Sequence, residues 1–132
     1  MDSLAPALSA RDVNQLSMLA LAHVGDAVYE LLVRGALCRE KNATVMQLHR
    51  QTVEQVRAEA QAAAAEKLLP LLNGEELAVY RRGRNAKVNS VPQHADIAQY
   101  HAATGLEALF GWLYLQGDSA RIRELFAAIT EE

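Results

Sequence analysis

The sequence has little of several features that mark other classes of protein. Its one cysteine, Cys38, cannot form a disulfide within the chain, which fits a reducing cytoplasm, and we expect a buried structural thiol there. The longest apolar runs, such as residues 108–115, are well below the ~18 residues that a membrane-spanning helix needs. The N-terminal residues lack the basic stretch and apolar core of a secretion signal. These absences predict a cytoplasmic protein with no membrane association.

Positive charges are also outnumbered by negative ones, with 13 Lys and Arg against 16 Asp and Glu. The formal net charge of −3 at pH 7 argues against a generally basic surface that coats polyanions, so any contact with nucleic acid must be local. One segment, RRGRNAK at residues 81–87, is locally basic, and Arg suits phosphate oxygens because its guanidinium donates two hydrogen bonds at once. A solvated loop without a ligand has the same composition. The basic residues of this segment are Arg81, Arg82, Arg84 and Lys87, and Gly83 and Asn85 allow a tight turn between them.

Helix-forming residues are what the sequence has in abundance. Ala, Leu, Glu and Gln dominate, only 7 Gly and 3 Pro interrupt them, and no segment alternates with the period of a strand. A length of 132 residues with 51% apolar side chains suits one domain with a proper core. We therefore predict a single all-α domain over residues 1–132, with its core at about residues 12–129.

Capping residues predict where the helices begin. At Asp12, Thr44 and Asn73 the Gln or Glu three residues after the cap gives the pattern of a capping box, and Pro70, Gly83 and Gly117 are the predicted stops. The predicted helices run from Asp12 to about residue 39, from Thr44 to about residue 69, from Asn73 to Gly83, from Asp96 to Leu115, and from Asp118 or Ser119 onwards.

Residues 19–32, LALAHVGDAVYELL, are apolar in every sector of a helical wheel, which is typical of a buried helix. Gly25 in such a helix costs about 1 kcal/mol relative to Ala, so we expect another element to approach closely there. Asp26 and Glu30, four residues apart, share a face that this pattern predicts to be covered. A covered carboxylate needs a cation, hydrogen-bond donors or a shifted pKa.

Glu107 repeats this situation in the second apolar helix, where it is the only charge between Asp96 and the helix end. If Asp26 and Glu107 come together, their carboxylates repel unless a divalent cation lies between them, and Mg²⁺ accepts one or two carboxylates plus waters. A phosphate-binding segment beside such a metal would complete a phosphodiester site. The alternative is that Glu107 pairs with Arg or Lys and only holds helices together.

Other signatures of chemistry are missing. The four histidines have no metal-ligand spacing and are expected to be packing or surface residues, with His49 and His94 as the two placed to contact RNA. Glycine-rich phosphate loops are absent, so no nucleotide cofactor is predicted. Glu30 is also spaced to pair with Arg34 on the helix surface.

Several segments resemble the ribonuclease III family. AHVGDAVYELLVR is similar to the signature helix of that family and ATGLEALFGWLYL to its second acidic helix. RRGRNAK, the Leu48-His49 pair and the Ala60-Gln61-Ala62 triplet are closer to its short bacterial subfamily, Mini-III, which lacks the double-stranded-RNA-binding domain. The resemblance covers about residues 16–125. Full-length members have glutamates where this chain has Leu19 and Ala22, and an Asp in place of Thr104.

This resemblance implies a homodimeric endonuclease that cuts double-stranded RNA with Mg²⁺, with Mn²⁺ able to substitute, and that matures precursor 23S ribosomal RNA. It implies that Asp26 and Glu107 are the catalytic metal ligands and that Glu30 and Thr104 support them without binding the metal. The alternative is an inactive ribonuclease III-like module that binds structured RNA or a ribosome-assembly partner. The RNA-binding residues would be Arg81, Arg82, Arg84, Asn85, Lys87 and His49.

Overall fold

A computed structural model describes residues 4, 6–40, 43–87 and 96–131, except for the side chain of Glu40. These residues contain seven α-helices, a short 3₁₀ turn at Leu69–Leu71 and no strand, which confirms the predicted all-α class. The helices are α1 (Ala10–Asn14), α2 (Met18–Glu40), α3 (Val45–Val56), α4 (Ala58–Leu68), α5 (Gly74–Arg84), α6 (Ile97–Leu115) and α7 (Ser119–Thr130).

Four helices begin at a predicted cap. Thr44 and Gln47 form a reciprocal capping box on α3, with bonds of 2.9 and 3.2 Å. Asn73 and Glu76 form a second on α5, with bonds of 3.0 and 2.9 Å. Such boxes satisfy backbone N–H groups that have no partner within the helix. The remaining two caps are Asp96 on α6 and, of the two candidates, Asp118 on α7.

The predicted start of the first helix at Asp12 is wrong, because two serines cap two separate helices there. The Ser9 hydroxyl accepts from the Asp12 N–H at 3.1 Å and begins the short α1. The Ser17 hydroxyl accepts from the Ala20 N–H at 3.0 Å, and the long helix α2 starts at Met18.

The predicted second helix is likewise two helices. The chain is extended at Arg57, with φ −71° and ψ 159°, so α3 ends at Val56 and α4 begins at Ala58. The break frees the Val56 carbonyl, which accepts instead from the side-chain amide of Gln61 at 2.7 Å. Local helix propensity gave no sign of this because the residues around Arg57 are good helix formers.

Helix α6 is the centre of the core, with α2, α4, α5 and α7 packed around it. Its crossing with α2 brings the two backbones into contact. A Cβ on Gly25 would lie 1.6 Å from the Glu107 carbonyl oxygen, and one on Gly111 would lie 2.0 Å from the Leu21 carbonyl oxygen. The close approach expected at Gly25 is therefore confirmed.

Two further observations concern exposure. Cys38 is exposed, so the prediction of a buried structural thiol is wrong. The residue lies near the C-terminal end of α2. Among the residues that the structure describes, no helix is both long and apolar enough to cross a membrane.

Candidate functional site

The crossing of α2 and α6 brings two carboxyl groups together. Asp26 follows the glycine whose backbone touches the Glu107 carbonyl, so both acids lie at the point of closest approach. The side chains of Asp26 and Glu107 are within hydrogen-bonding reach of each other. Residues that are 81 positions apart thus form a pair because glycine removes the side chain that would hold the helices apart.

The electrostatics of this pair are unfavourable without a counter-charge. Burial of Glu107 and the negative charge of Asp26 raise the pKa of the Glu107 carboxyl to about 8, and a hydrogen bond from Gln61 offsets part of that effect. Within the described residues, no Lys or Arg forms an ion pair with either acid. The alternative in which Glu107 is held by a basic side chain is therefore not what the structure shows.

A divalent cation fits this donor set. The described ranges contain no group of three or more His, Cys, Asp or Glu side chains that could hold a metal, so the two carboxylates stand alone. Mg²⁺ keeps several waters and needs only one or two carboxylates, whereas Zn²⁺ takes three or four protein ligands. A pair of carboxylates that repel each other and lack a positive partner matches the requirement of Mg²⁺.

Gln61 is a residue of this site that the sequence patterns did not identify. It is 1% exposed, and its amide nitrogen donates to Glu107 Oε2 at 3.2 Å as well as to the Val56 carbonyl at 2.7 Å. The chain places it in the first turn of α4, directly after the break at Arg57. A glutamine in an alanine-rich helix carries no signal of its own, and only the family resemblance of the Ala60-Gln61-Ala62 triplet marks this position.

The face of α2 around Asp26 is open, and the prediction that it is covered is wrong. Asp26 is exposed, and Glu30 forms an ion pair of 2.7 Å with Arg34 in which both side chains are more than a third exposed. Apolar residues were expected to bury every sector of this helix, yet Leu19 and Leu31 are 42% and 66% exposed. A shallow hollow of about 440 Å³ is lined by His23, Asp26, Ala27, Glu30, Leu31 and Arg34.

The basic segment lies partly on a helix. Helix α5 continues one residue past the predicted stop, to Arg84, and Asn85 caps it. Gly83 presses this end of α5 against α6, where an added Cβ would lie 2.7 Å from the Ala108 Cβ. The basic end is therefore docked beside the part of α6 that carries Glu107. Its exposed polar residues are Arg81, Arg82, Arg84, Asn85 and Lys87; residues 88–95, including His94, are outside the described residues.

The two remaining candidates lie in different settings. Thr104 is 7% exposed, and its hydroxyl donates to the Tyr100 carbonyl of its own helix at 3.0 Å. His49 is exposed on α3, where it lines a separate hollow of about 540 Å³ with apolar neighbours such as Met46. The structure brings together Asp26, Glu107 and Gln61, and it places His49 in a hollow that Asp26 does not line.

Known proteins are similar to this chain over most of its length. The family model of the ribonuclease III domain matches residues 19–118. A Mini-ribonuclease 3 of Thermoanaerobacter sp. (strain X514) is 43% identical over 128 residues, covering 95% of this chain and 90% of the relative. One of Synechocystis sp. is 46% identical over 127 residues, covering 96% and 86%. The crystal structure of protein FN1578 from Fusobacterium nucleatum superposes with a TM-score of 0.80 at 27% identity, covering 89% of this chain and 94% of that one.

Proposed function

This chain belongs to the ribonuclease III family, within its Mini-ribonuclease 3 group, and is an endoribonuclease of that type. From that premise we propose that it cleaves double-stranded RNA at the Asp26–Glu107 pair with Mg²⁺, as a homodimer, and matures precursor 23S ribosomal RNA. The observation that carries the proposal is the pair itself: two carboxyl groups within hydrogen-bonding reach, one of them half-buried, with no Lys or Arg ion pair among the described residues. The proposed 23S substrate rests on the family resemblance of the sequence, and the proposed cytoplasmic location rests on its single cysteine.

Asp26 and Glu107 would hold the metal, and they differ in their surroundings. Glu107 is anchored by Gln61 in the half-buried part of the crossing, whereas Asp26 is exposed and reachable by a phosphodiester. When bound, Mg²⁺ supplies Lewis-acid polarisation of the phosphate and lowers the pKa of a water. The protein's own contribution is to keep both carboxylates in place on two rigid helices, because their backbones touch at Gly25 and Gly111.

The exposed basic end of α5 supports binding of an RNA backbone. Arg81, Arg82 and Arg84 present guanidinium groups that suit phosphate oxygens, and the rest of a chain with net charge −3 adds no general attraction. A duplex is recognised by its A-form shape, phosphates and 2′-hydroxyls rather than by base edges. Binding by so few cations is weak, and it falls with rising salt in proportion to the number of phosphate contacts.

We propose that a second copy of the chain covers the exposed leucines of α2, Leu19 and Leu31, and leaves Asp26 open to RNA. Leu31 is 66% exposed and lines the same hollow as Asp26, and Leu19 is 42% exposed at the start of the same helix. Their burial between two copies would remove apolar surface from water, and a two-fold axis would give each copy the same contact. Two such sites facing one duplex would cut both strands. Leu31→Asp is expected to shift the protein to monomers in sedimentation equilibrium, whereas Leu71→Asp, at an exposed leucine outside α2, leaves the oligomeric state unchanged.

The experiment that tests the activity is Mg²⁺-dependent cleavage of a plain RNA duplex by the parent protein and by Asp26→Asn. The parent should cut, and the variant should bind the duplex without cutting it, because the change removes a negative charge but keeps the side-chain shape. A parent that binds duplex RNA but never cuts it would favour the inactive RNA-binding module. Mapping the ends of 23S ribosomal RNA in cells that lack the protein tests the proposed substrate: unchanged ends contradict it.

A further inference from the structure

Gln61 connects the break between α3 and α4 to the carboxylate pair. Its side-chain amide carries two N–H groups, and the structure uses them on two acceptors, the Val56 carbonyl and Glu107 Oε2, at 2.7 and 3.2 Å. Both partners only accept hydrogen bonds when Glu107 is ionised, so the amide nitrogen and not its oxygen must face them. The orientation of this buried side chain is therefore determined by chemistry.

The opposite end of the same amide has no hydrogen-bond partner in the described part of the chain. Gln61 Oε1 is buried and accepts no hydrogen bond from any described residue, although the side chain as a whole is only 1% exposed. A buried polar atom without a partner is costly. Leucine or methionine at this position would bury apolar surface at no such cost, so the distinctive contribution of Gln61 is the pair of N–H groups that it donates to the Val56 carbonyl and to Glu107.

The alternatives at this position show what a neutral donor achieves. Lys or Arg would form an ion pair with Glu107 and compete with a cation for it, and Glu would add a third negative charge to the pair. An amide holds a carboxylate oxygen in one orientation and leaves its charge available. Outer groups of this kind orient metal ligands in many proteins.

We propose that Gln61 is a positioning residue, whose neutral amide fixes Glu107 for the divalent cation without supplying a competing positive charge. The inference rests on the proposed function, since it assigns a role towards the same Mg²⁺. The break at Arg57 is part of the arrangement, because it frees the Val56 carbonyl that holds the other N–H of the amide.

The test compares Mg²⁺ binding by the RNA-free protein in two variants with the same substitution. Gln61→Met keeps the length of the side chain but removes both donors. The matched control is Gln116→Met, which removes a side-chain donor whose partner is the Trp112 carbonyl, 3.0 Å away, rather than Glu107. Mg²⁺ affinity is measured by isothermal titration calorimetry, and kcat and KM are measured on a duplex RNA over a range of Mg²⁺ concentrations.

Gln61→Met should weaken Mg²⁺ binding by about 10- to 100-fold, the effect typical of losing a group that orients a metal ligand. The Mg²⁺ concentration for half-maximal cleavage should rise by the same factor, while KM for RNA stays unchanged. Gln116→Met should bind Mg²⁺ as the parent does. A folded Gln61→Met protein with parental Mg²⁺ affinity overturns the inference.

Should Gln61→Met fail to fold, Gln61→Asn replaces it. This variant keeps an amide but is one methylene too short to reach both acceptors, so weaker Mg²⁺ binding is again expected and parental affinity again overturns the inference. A parent that neither binds Mg²⁺ nor cuts a duplex overturns the proposed function and this inference with it. A parent that does both, beside a variant with parental affinity, overturns the inference alone.

Discussion

Glu76 is buried and Glu107 is half-buried in this helical protein, and the two differ in the groups that surround their carboxylates. Glu76 is 2% exposed and receives two hydrogen bonds, of 2.8 and 2.7 Å, from the guanidinium of Arg121. The hydrogen bonds from Arg121 lower the pKa of Glu76, whereas burial and Asp26 raise that of Glu107. A carboxylate that is neutralised by an arginine of the same chain is not available to a cation. One that meets only an amide and another acid remains available to a cation.

The same difference is visible in the helices that carry the two acids. Glu76 is also the third residue of α5, and its side chain accepts from the Asn73 N–H in the capping box of that helix. Its hydrogen bonds therefore stabilise the fold. Arg121 also donates to the Leu71 carbonyl. Glu107 lies in the middle of α6, where it caps nothing and its backbone is pressed against Gly25. The comparison predicts that the two acids respond oppositely to the same substitution.

The largest expected effect is on cleavage by Glu107→Gln. Loss of one of two proposed metal ligands should lower kcat/KM by more than about 1,000-fold, because metal-ion stabilisation of a transition state is worth several kcal/mol. The melting temperature without metal should stay the same or rise, since the change relieves the repulsion from Asp26. Cleavage assays and thermal unfolding on one preparation measure both quantities. A variant that cuts normally removes Glu107 from the mechanism.

Gly25→Ala should separate the two acids by forcing the helices apart. The added Cβ would lie 1.6 Å from the Glu107 carbonyl oxygen, and because backbone is the obstacle, we expect a loss of about 3 kcal/mol or more in the free energy of unfolding. Gly35→Ala is the control on the same helix, where nothing lies within 4 Å of the added Cβ. That change should raise the free energy of unfolding by about 1 kcal/mol. Equal stability of the two variants in urea unfolding would contradict the close crossing.

Glu76→Gln should show the reverse of Glu107→Gln, with stability lost and the site intact. Hydrogen bonds to charged groups contribute about 2 kcal/mol, and the Arg121 guanidinium, 22% exposed, loses its buried counter-charge. The folded variant should cut RNA at the parental rate at temperatures well below its melting point. Loss of cleavage in a protein that is still folded would mean that the two acids are not separate in function.

The stability difference between the parent and Glu76→Gln should depend on pH. The pKa of Glu76 is lower in the folded protein than in the unfolded chain, so its contribution to stability is present above the unfolded value and is lost as pH falls through the folded value. Urea unfolding at pH 7 and at pH 3 should give a clear difference at the first pH and a smaller one at the second. A difference that stays constant would show that the charge of Glu76 does not matter.

The smallest effect is expected at the basic end of α5. Arg82→Ala should weaken duplex RNA binding only several-fold and reduce the slope of log K against log salt by about 1, because one phosphate contact is lost among several. The chemical step at saturating RNA should change little. Arg123→Ala, at an exposed arginine on α7, is the control. Identical RNA affinity in Arg82→Ala and the parent would exclude Arg82 from the interface.

Local features of the fold were predictable from the sequence, and features that depend on distant contacts were not. The Thr44–Gln47 and Asn73–Glu76 boxes involve residues three apart, so their pattern is complete within the sequence. The break at Arg57 is accompanied by two hydrogen bonds from Gln61, and one of them goes to Glu107, which is 46 positions from Gln61. No window of ten or twenty residues contains that information.

The site was predictable in its chemistry but not in its exposure. An Asp and a Glu in apolar helices pointed to a pair, and Gly25 pointed to a crossing, because acids and glycine are unusual in such surroundings. The exposure of Asp26 could not be predicted. Apolar residues around it indicate burial, but they do not tell whether the covering surface belongs to the same chain or to another. Leu31 is an example, because it is an apolar residue of α2 and is nevertheless 66% exposed.

The glycine crossing also has a consequence for biosynthesis. The halves of the carboxylate pair are made at different times, because Asp26 lies near the start of the chain and Glu107 near its end. A growing polypeptide holds Asp26 alone until α6 has left the ribosome and docked on α2. The proposed metal site therefore cannot form until both helices have been synthesised and docked.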